Sequence, residues 1–269
     1  MTVLTDIVAA TRRRVGECRH EVNLRELERR AGLHSPRGFG KGLKLASDAG
    51  IAIIAELKKA SPSQGLIRED FDPEELAKEL ERAGAAALSV LTDEEFFQGS
   101  LSNLRIASGS TRLPCLRKDF IIDEFQILEA RANSADAVLL IVAALEQKEL
   151  QSLVAAAARY ELDVLCEVHD SAELQRALDA GCEVIGVNNR NLKTFKVDLA
   201  TALQLADEIP QNVLAIAESG IESGADIARL RMAGYSGFLI GESLMRATSP
   251  GEALISLLAQ AATQISTSA

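Results

Sequence analysis

Eight short apolar runs recur along the chain, and they restrict its fold more than any other feature. Most are rich in Val, Ile and Leu without an alternating polar face, which is typical of strands buried on both faces of a parallel sheet. The runs span residues 51–57, 86–91, 114–117, 137–142, 163–168, 183–188, 213–218 and 236–240.

The segments between these runs carry helix signals, so the sequence predicts alternating strands and helices. The clearest helix spans residues 73–83, where Asp72 is a natural N-cap and a proline and a glutamate occupy the first turn. Three helices end in an Ala-Gly pair a few residues before the next strand begins, as expected of a repeated unit. Further helices are predicted at 101–107, 124–132, 146–159, 172–180, 199–207, 223–233 and 252–264.

Eight strands that alternate with helices predict a (β/α)8 TIM barrel, because right-handed βαβ units build a parallel sheet that closes on itself. An open doubly wound sheet is the alternative, although the GxGxxG fingerprint expected after its first strand is absent. Residues 1–47 precede the first strand and predict two helices, at 2–17 and 23–31, with a glycine-rich link at 38–42. We expect residues 1–269 to form a single barrel domain with this N-terminal helical extension.

The composition excludes several function classes. The chain has 39 Asp and Glu residues against 29 Lys and Arg, for a net charge of −10, which argues against nucleic-acid binding. No apolar run approaches the ~20 residues of a membrane helix. The four cysteines form no CxxC pair and favour buried reduced thiols, and the three histidines form no ligand cluster, so no metal is expected. With no signal-like segment at the start, we expect a cytoplasmic protein without membrane partners.

Polar residues stand at the carboxyl ends of most predicted strands, where this fold has its active site. Alternation places Glu56 and Lys58 on one face of the first strand, and similar pairs recur on other strands. Taken by themselves, Glu56 and Lys58 are better explained as a surface ion pair at a strand end. A solvated strand end is the alternative for residues 118–119. Glu167, inside an apolar run, needs a partner. The common position of all these residues favours chemistry. They are Glu56, Lys58, Lys118, Glu167, Asn188, Arg190 and Glu218.

Glycines follow the seventh and eighth strands, in Ser219-Gly220 and Gly241-Glu242. Glycine lets the backbone approach an anion, and the N–H groups of a following helix bind it. The loops after these two strands are the usual phosphate site of the barrel fold. An ordinary loop role is the alternative, but the pattern favours a small phosphorylated substrate.

Seven stretches in chain order resemble the indole-3-glycerol phosphate synthase family, namely AELKKASPSQG, LTDEEFFQGS, LRKDFIIDEFQI, LCEVHD, IGVNNRNL, AESGI and GFLIGESLMRA. The resemblance spans residues 51–247. It implies ring closure, decarboxylation and dehydration of 1-(2-carboxyphenylamino)-1-deoxyribulose 5-phosphate to indole-3-glycerol phosphate, CO₂ and water. It thus implies a tryptophan-pathway lyase with a small phosphorylated aromatic substrate, no cofactor and no metal, and we expect a monomer.

The resemblance also implies residue roles. Lys118 resembles the acid for the substrate ketone, while Glu56, Lys58 and Glu167 share the later proton transfers in a division that stays open. Gln64 stands where many members of the family have lysine, so this position has no expected role. The implied catalytic residues are Glu56, Lys58, Lys118, Glu167 and Asn188. The implied substrate-binding residues are Ser61, Pro62, Phe97, Phe120, Arg190 and Glu218. The implied phosphate-binding residues are Lys58, Ser219, Gly220, Gly241 and Glu242.

Other functions remain open at this point. A Schiff-base aldolase on the same barrel would have Lys58 or Lys118 as a nucleophile. Other phosphate-binding barrel enzymes of tryptophan and histidine synthesis would have different strand-end pairs, such as Asp or Cys. A non-catalytic binder of phosphorylated metabolites would have lost its catalytic groups, whereas the main ones are present here.

Overall fold

Eight parallel strands close into a barrel in the computed structural model of this protein, which describes residues 3–192 and 194–268. The strands are β1 (Ala52–Leu57), β2 (Ala87–Leu91), β3 (Cys115–Lys118), β4 (Ala137–Ile141), β5 (Asp163–Val168), β6 (Val184–Asn188), β7 (Leu214–Glu218) and β8 (Gly237–Ile240). Each strand pairs with the next, and β8 pairs with β1 through Ala52 opposite Gly237. The predicted barrel is confirmed, and the alternative of an open sheet is wrong.

Helices precede, separate and follow the strands. Asp72 caps α4 as predicted, accepting hydrogen bonds from the backbone N–H groups of Glu74 and Glu75. In the described residues the helices are α1 (Val3–Glu21), α2 (Leu24–Ala31), α3 (Phe39–Ala49), α4 (Pro73–Arg82), α5 (Leu101–Ser110), α6 (Glu124–Ala132), α7 (Gln147–Arg159), α8 (Ser171–Asp179), α9 (Ala200–Leu205), α10 (Gly224–Met232), α11 (Glu242–Arg246) and α12 (Pro250–Ser268). Each predicted helix is present, with ends shifted by a few residues.

Alternate strand residues fill the inside of the barrel, and the others pack against the surrounding helices. The interior layer includes Ile54, Leu116, Leu165 and Ile216. The residue two positions further along a strand points to the same face. The apolar filling therefore places four polar residues at the C-terminal mouth, namely Glu56, Lys118, Glu167 and Glu218.

The glycine-rich link predicted at 38–42 is wrong, because these residues begin α3. Gly38 has a φ of +74°, which ends the preceding loop, and Phe39 starts the helix. Phe39 and Leu43 are fully buried and join the interior cluster. A Cβ on Gly40 would lie 3.2 Å from the Val184 side chain. The glycine therefore permits close packing of a helix on the barrel.

Two buried aspartates join the N-terminal extension to the barrel. Arg14 of α1 donates to both oxygens of Asp119, at 3.2 and 3.3 Å. Asp136 accepts hydrogen bonds from the Arg37 backbone and guanidinium, and His34 Nε2 lies 3.1 Å from its Oδ1. Within the residues described, no helix combines the length and apolar character needed to cross a membrane.

Candidate active site

A cavity of about 650 Å³ opens at the C-terminal ends of the strands. Its lining includes all the residues that were assigned a site role from the sequence. These are Glu56, Lys58, Ser61, Pro62, Phe97, Lys118, Phe120, Glu167, Asn188, Arg190, Glu218, Ser219, Gly220, Gly241 and Glu242. Residues from distant parts of the chain thus meet around one space large enough for a small ligand.

Glu56 and Lys58 form a buried ion pair at the end of β1, so the surface-pair explanation is wrong. Lys58 Nζ lies 2.7 Å from Glu56 Oε1, and Lys118 Nζ lies 3.8 Å from Glu56 Oε2. Burial by itself would raise the pKa of Glu56, but the positive charges of Lys58 and Lys118 outweigh burial and lower that pKa. Glu56 is therefore ionised and anchors two ammonium groups.

Lys118 lies between two carboxylates at the centre of the mouth. Its Nζ is 3.8 Å from Glu56 Oε2 and 3.9 Å from Glu167 Oε2. Burial would lower the pKa of Lys118, yet the negative charges of Glu56, Glu167 and Glu218 raise it above its ordinary value. Lys118 consequently keeps its proton, as an acid or hydrogen-bond donor requires. A nucleophilic lysine needs the opposite shift.

Glu218 is a buried carboxyl group in the mouth that holds its proton more tightly than an exposed glutamate does. Burial, together with the negative charges of Glu167 and Glu56, raises the pKa of Glu218 to about 8. Its Oε1 has no hydrogen-bond partner in the described part of the chain. Gly186 makes room for this oxygen, because a Cβ at that position would lie 2.0 Å from Oε1. The neutral carboxyl can donate a hydrogen bond to a ligand.

The ends of β6 and β8 are joined by a chain of polar contacts. Asn188 Oδ1 accepts from the backbone N–H of Arg190, at 3.0 Å. Arg190 Nη2 lies 3.7 Å from Glu242 Oε2, and Arg246 donates to Glu242 Oε1. Arg246 also donates to Gln64 Oε1, at 2.9 Å. Gln64, which had no expected role, thus links the loop after β1 to α11.

An apolar wall lines another part of the cavity. The ring centroids of Phe97 and Phe120 lie 6.2 Å apart, with their planes 37° from parallel. Leu4 and Ile7 of α1 also line the cavity, which the sequence did not predict. Ser61 lines the cavity, and its buried Oγ has no hydrogen-bond partner among the described residues.

The glycine-containing loops after β7 and β8 line the cavity. Ser219 and Gly220 both have positive φ angles, of 65° and 74°. A Cβ on Gly241 would lie 2.5 Å from Glu56 Oε1, so only glycine fits there. Glu242 then begins α11, and the first N–H groups of a helix have no partner within it. This arrangement suits an anion.

Two polar residues near the site had no assigned role. Asp119 is buried and accepts hydrogen bonds from Thr92, Arg117 and Arg14, so the solvated strand end considered for residues 118–119 is wrong. His169 lies behind Glu167, with its Nε2 3.4 Å from Glu167 Oε1. Strand alternation places His169 on the same face as Glu167, and this signal could have identified the contact.

The sequence matches a protein-family model and is similar to named proteins from several bacteria. The family model described as indole-3-glycerol phosphate synthase matches residues 4–257. A protein of that name from Koribacter versatilis is 60% identical over 257 residues, covering 96% of this chain and 99% of the relative. Another, from Chlorobium luteolum, is 51% identical over 245 residues, covering 91% and 93%.

Solved structures with low sequence identity share the fold. A mandelate oxidase mutant is 16% identical with a TM-score of 0.63, and the match covers 81% of this chain and 73% of that one. A thiamine phosphate pyrophosphorylase from Pyrococcus furiosus is 15% identical with a TM-score of 0.61, covering 82% and 99%. At this identity the likeness concerns the barrel fold alone.

Proposed function

This chain belongs to the indole-3-glycerol phosphate synthase family, and from that premise we propose how its cavity carries out the reaction. The enzyme is a carboxy-lyase of tryptophan biosynthesis. Its proposed substrate is 1-(2-carboxyphenylamino)-1-deoxyribulose 5-phosphate, and its products are indole-3-glycerol phosphate, CO₂ and water. The observation that carries the mechanism is the position of Lys118 Nζ, between Glu56 and Glu167 in a buried mouth.

In the ring-closing step, an aromatic carbon attacks the ketone carbon and a new C–C bond forms. Negative charge develops on the ketone oxygen, and the Lys118 ammonium stabilises it and donates a proton. The carboxylate on the attacking ring carbon then leaves as CO₂, and the electrons of the broken C–C bond restore the aromatic ring. The raised pKa of Lys118 supports this role because the lysine is protonated before the substrate arrives.

Dehydration removes the new hydroxyl as water. A donor protonates the hydroxyl while a base takes the anilino N–H proton, and nitrogen regains a proton as the adjacent methylene carbon loses one, which gives the indole. We assign the base to Glu167, because Glu56 is held by two ammonium groups and its lowered pKa makes it a weak base. Lys58, fixed by Glu56 at 2.7 Å, is then the proposed donor to the departing hydroxyl.

The cavity lining supports a mode of substrate binding. The benzene ring would pack against Phe97, Phe120 and Pro62, with Leu4 and Ile7 of α1 covering it. The carboxylate would be held by the Arg190 guanidinium and the unpartnered Ser61 hydroxyl. In a separate part of the site, Asn188 and the neutral carboxyl of Glu218 would hydrogen-bond the substrate chain.

The phosphate would bind to the loops after β7 and β8, through Ser219, Gly220, Gly241 and the backbone N–H of Glu242, with Lys58 reaching toward it. The Glu242 carboxylate does not oppose this, since Arg190 and Arg246 lie against it. Neutralising that carboxylate leaves the first turn of α11 favourable for an anion.

A Schiff-base aldolase is the second candidate, but the electrostatics disfavour it. Free amine is scarce at Lys118, because the surrounding carboxylates raise the pKa of that lysine. Borohydride reduction in the presence of substrate separates the two mechanisms. We expect no covalent adduct on Lys58 or Lys118 by mass spectrometry, and inactivating labelling of either lysine would contradict acid catalysis.

We further propose a cytoplasmic monomer that needs no cofactor and binds neither nucleic acid nor membrane. A phosphorylated metabolite does not cross a membrane unaided, and a single chain supplies all the proposed site residues. The direct experiment incubates the purified protein with the carboxyphenylamino substrate and follows the fluorescence of indole-3-glycerol phosphate and the release of CO₂. We expect equal amounts of both products, and no turnover would end this proposal.

A further inference from the structure

His169 is fixed at the start of α8 by a single carboxylate. Its ring Nδ1 and its backbone N–H both lie 2.9 Å from Glu173 Oε2. Glu173 is itself placed by the helix N-cap, because its backbone N–H donates to Asp170 Oδ1 at 2.8 Å. The imidazole ring therefore has a defined orientation before any substrate binds.

The opposite side of the ring faces Glu167. Nε2 lies 3.4 Å from Glu167 Oε1, whereas Glu167 Oε2 lies 3.9 Å from Lys118 Nζ. Nε2 is buried and has no hydrogen-bond partner in the part of the chain that is described. The two oxygens of Glu167 are thus divided, one toward the histidine and one toward the cavity.

The contacts of the ring also restrict where its hydrogens lie. Nδ1 faces a carboxylate and must carry a hydrogen, so a neutral ring would direct the lone pair of Nε2 at Glu167. An imidazolium removes this repulsion. The electrostatics also favour the imidazolium. Burial by itself would lower the pKa of His169, but the Glu173 hydrogen bond and the charges of Glu167, Glu173 and Glu218 raise it above its ordinary value.

We propose that His169, held by Glu173, is a positioning residue that orients the Glu167 carboxylate so that Oε2 faces the reacting nitrogen of the substrate. This inference rests on the proposed role of Glu167 as the base. It gives a reason for the divided contacts of Glu167, and it assigns a function to a histidine that touches neither the cavity nor, in this arrangement, the substrate.

The test compares His169→Asn with His169→Gln. A glutamine amide can reach the position of Nε2 and donate to Glu167, whereas an asparagine amide reaches only the position of Nδ1. We expect His169→Asn to lower kcat about 10- to 100-fold with little change in KM, as for a misplaced catalytic group. His169→Gln should recover most of this loss. Equal kcat values in wild type and His169→Asn, or a loss confined to KM, would overturn the proposal.

A double-mutant cycle of His169 and Glu167 distinguishes a failure of the positioning role from a failure of the proposed function. If His169 acts through Glu167, adding His169→Asn to Glu167→Gln should cause no further loss of kcat. Independent, multiplying losses would overturn the positioning role, and full activity in Glu167→Gln would instead remove Glu167 from the mechanism. If His169→Asn does not fold, Glu173→Ala carries the test, with the same expected loss of kcat. Gln175→Ala, exposed on the same helix, is the control and should match wild type.

Discussion

Two buried carboxyl groups at the mouth, Glu56 and Glu218, have pKa values that their surroundings shift in opposite directions. Glu56 contacts two lysines and its pKa is lowered. Glu218 has no hydrogen-bonded cation among the described residues, and burial raises its pKa to about 8. At neutral pH one group is therefore an anion that holds cations, and the other is a neutral donor.

Glu218 makes a prediction about stability and pH. Its folded pKa is above its unfolded value, so the folded state holds an extra proton between pH 4.5 and about 8 and loses stability as pH rises through that window. Glu218→Gln removes the group. As pH rises through this window, we expect the free energy of unfolding of the variant to increase relative to that of wild type by up to about 1.4 kcal/mol per pH unit. Urea unfolding at several pH values measures this difference. A difference that does not change with pH would contradict the raised pKa.

Strand alternation was sufficient to predict which residues point into the mouth, because the side-chain period of a strand is fixed. The different roles of Glu56 and Glu218 could not be predicted in this way. They depend on distances between strands far apart in the chain, and the same is true of the contact between Arg246 and Gln64.

Glycines at the barrel strands give the carboxylates their space. Gly186 lies on β6 opposite Glu167 of β5, and a Cβ there would overlap Glu218 Oε1. Gly241 does the same for Glu56 at the end of β8. The site therefore requires glycine at these two positions, as well as its charged groups, because any larger residue would occupy the space of a carboxyl group.

Gly186→Ala tests this dependence. The added Cβ, 2.0 Å from Glu218 Oε1, must displace the carboxyl group, and we expect kcat to fall about 10- to 100-fold. Gly109→Ala is the matched control, since it lies exposed on α5 with nothing within 4 Å of the new Cβ. Steady-state kinetics and urea unfolding of both variants make the comparison. Wild-type kcat in Gly186→Ala would show that the position of Glu218 is unimportant.

Among the α-helices of the described residues, sequence patterns missed α3. Gly38, Gly40 and Gly42 predict a flexible link, because glycine disfavours helix interiors. Packing against Val184 and Pro114 overrides that propensity, since larger residues would hold the helix away from the barrel. The strands and the outer helices were predictable because the pattern of an apolar strand followed by an amphipathic helix recurs along the chain.

At the scale of the molecule, the extension and the barrel share buried polar and apolar contacts. Phe39 and Leu43 enter the interior cluster, and Asp136 at the start of β4 accepts hydrogen bonds from the Arg37 side chain and backbone. The order of the strands followed from sequence, but the packing of the extension did not. Arg14 contacts Asp119 and brings α1 to the mouth, and no local pattern encodes such a contact.

Asp136→Ala tests whether the extension and barrel form one domain. Removing one partner from a buried ion cluster leaves Arg37 uncompensated, and we expect a loss of about 3–5 kcal/mol in the free energy of unfolding. Asp48→Ala, in an exposed pair with Lys44, should change it little. Urea unfolding followed by circular dichroism and tyrosine fluorescence makes the measurement. An Asp136→Ala variant as stable as Asp48→Ala would show that the extension is only loosely attached.

The central claim is that Lys118 is the acid of ring closure, and its most direct test is the turnover rate of Lys118→Met beside Lys59→Met. Lys59 is the control because it carries the same side chain near the mouth but is not among the described cavity-lining residues. We predict a fall in kcat of about 10²- to 10⁴-fold for Lys118→Met, with inorganic phosphate still bound, and wild-type turnover for Lys59→Met. Near-normal turnover by Lys118→Met would contradict the account.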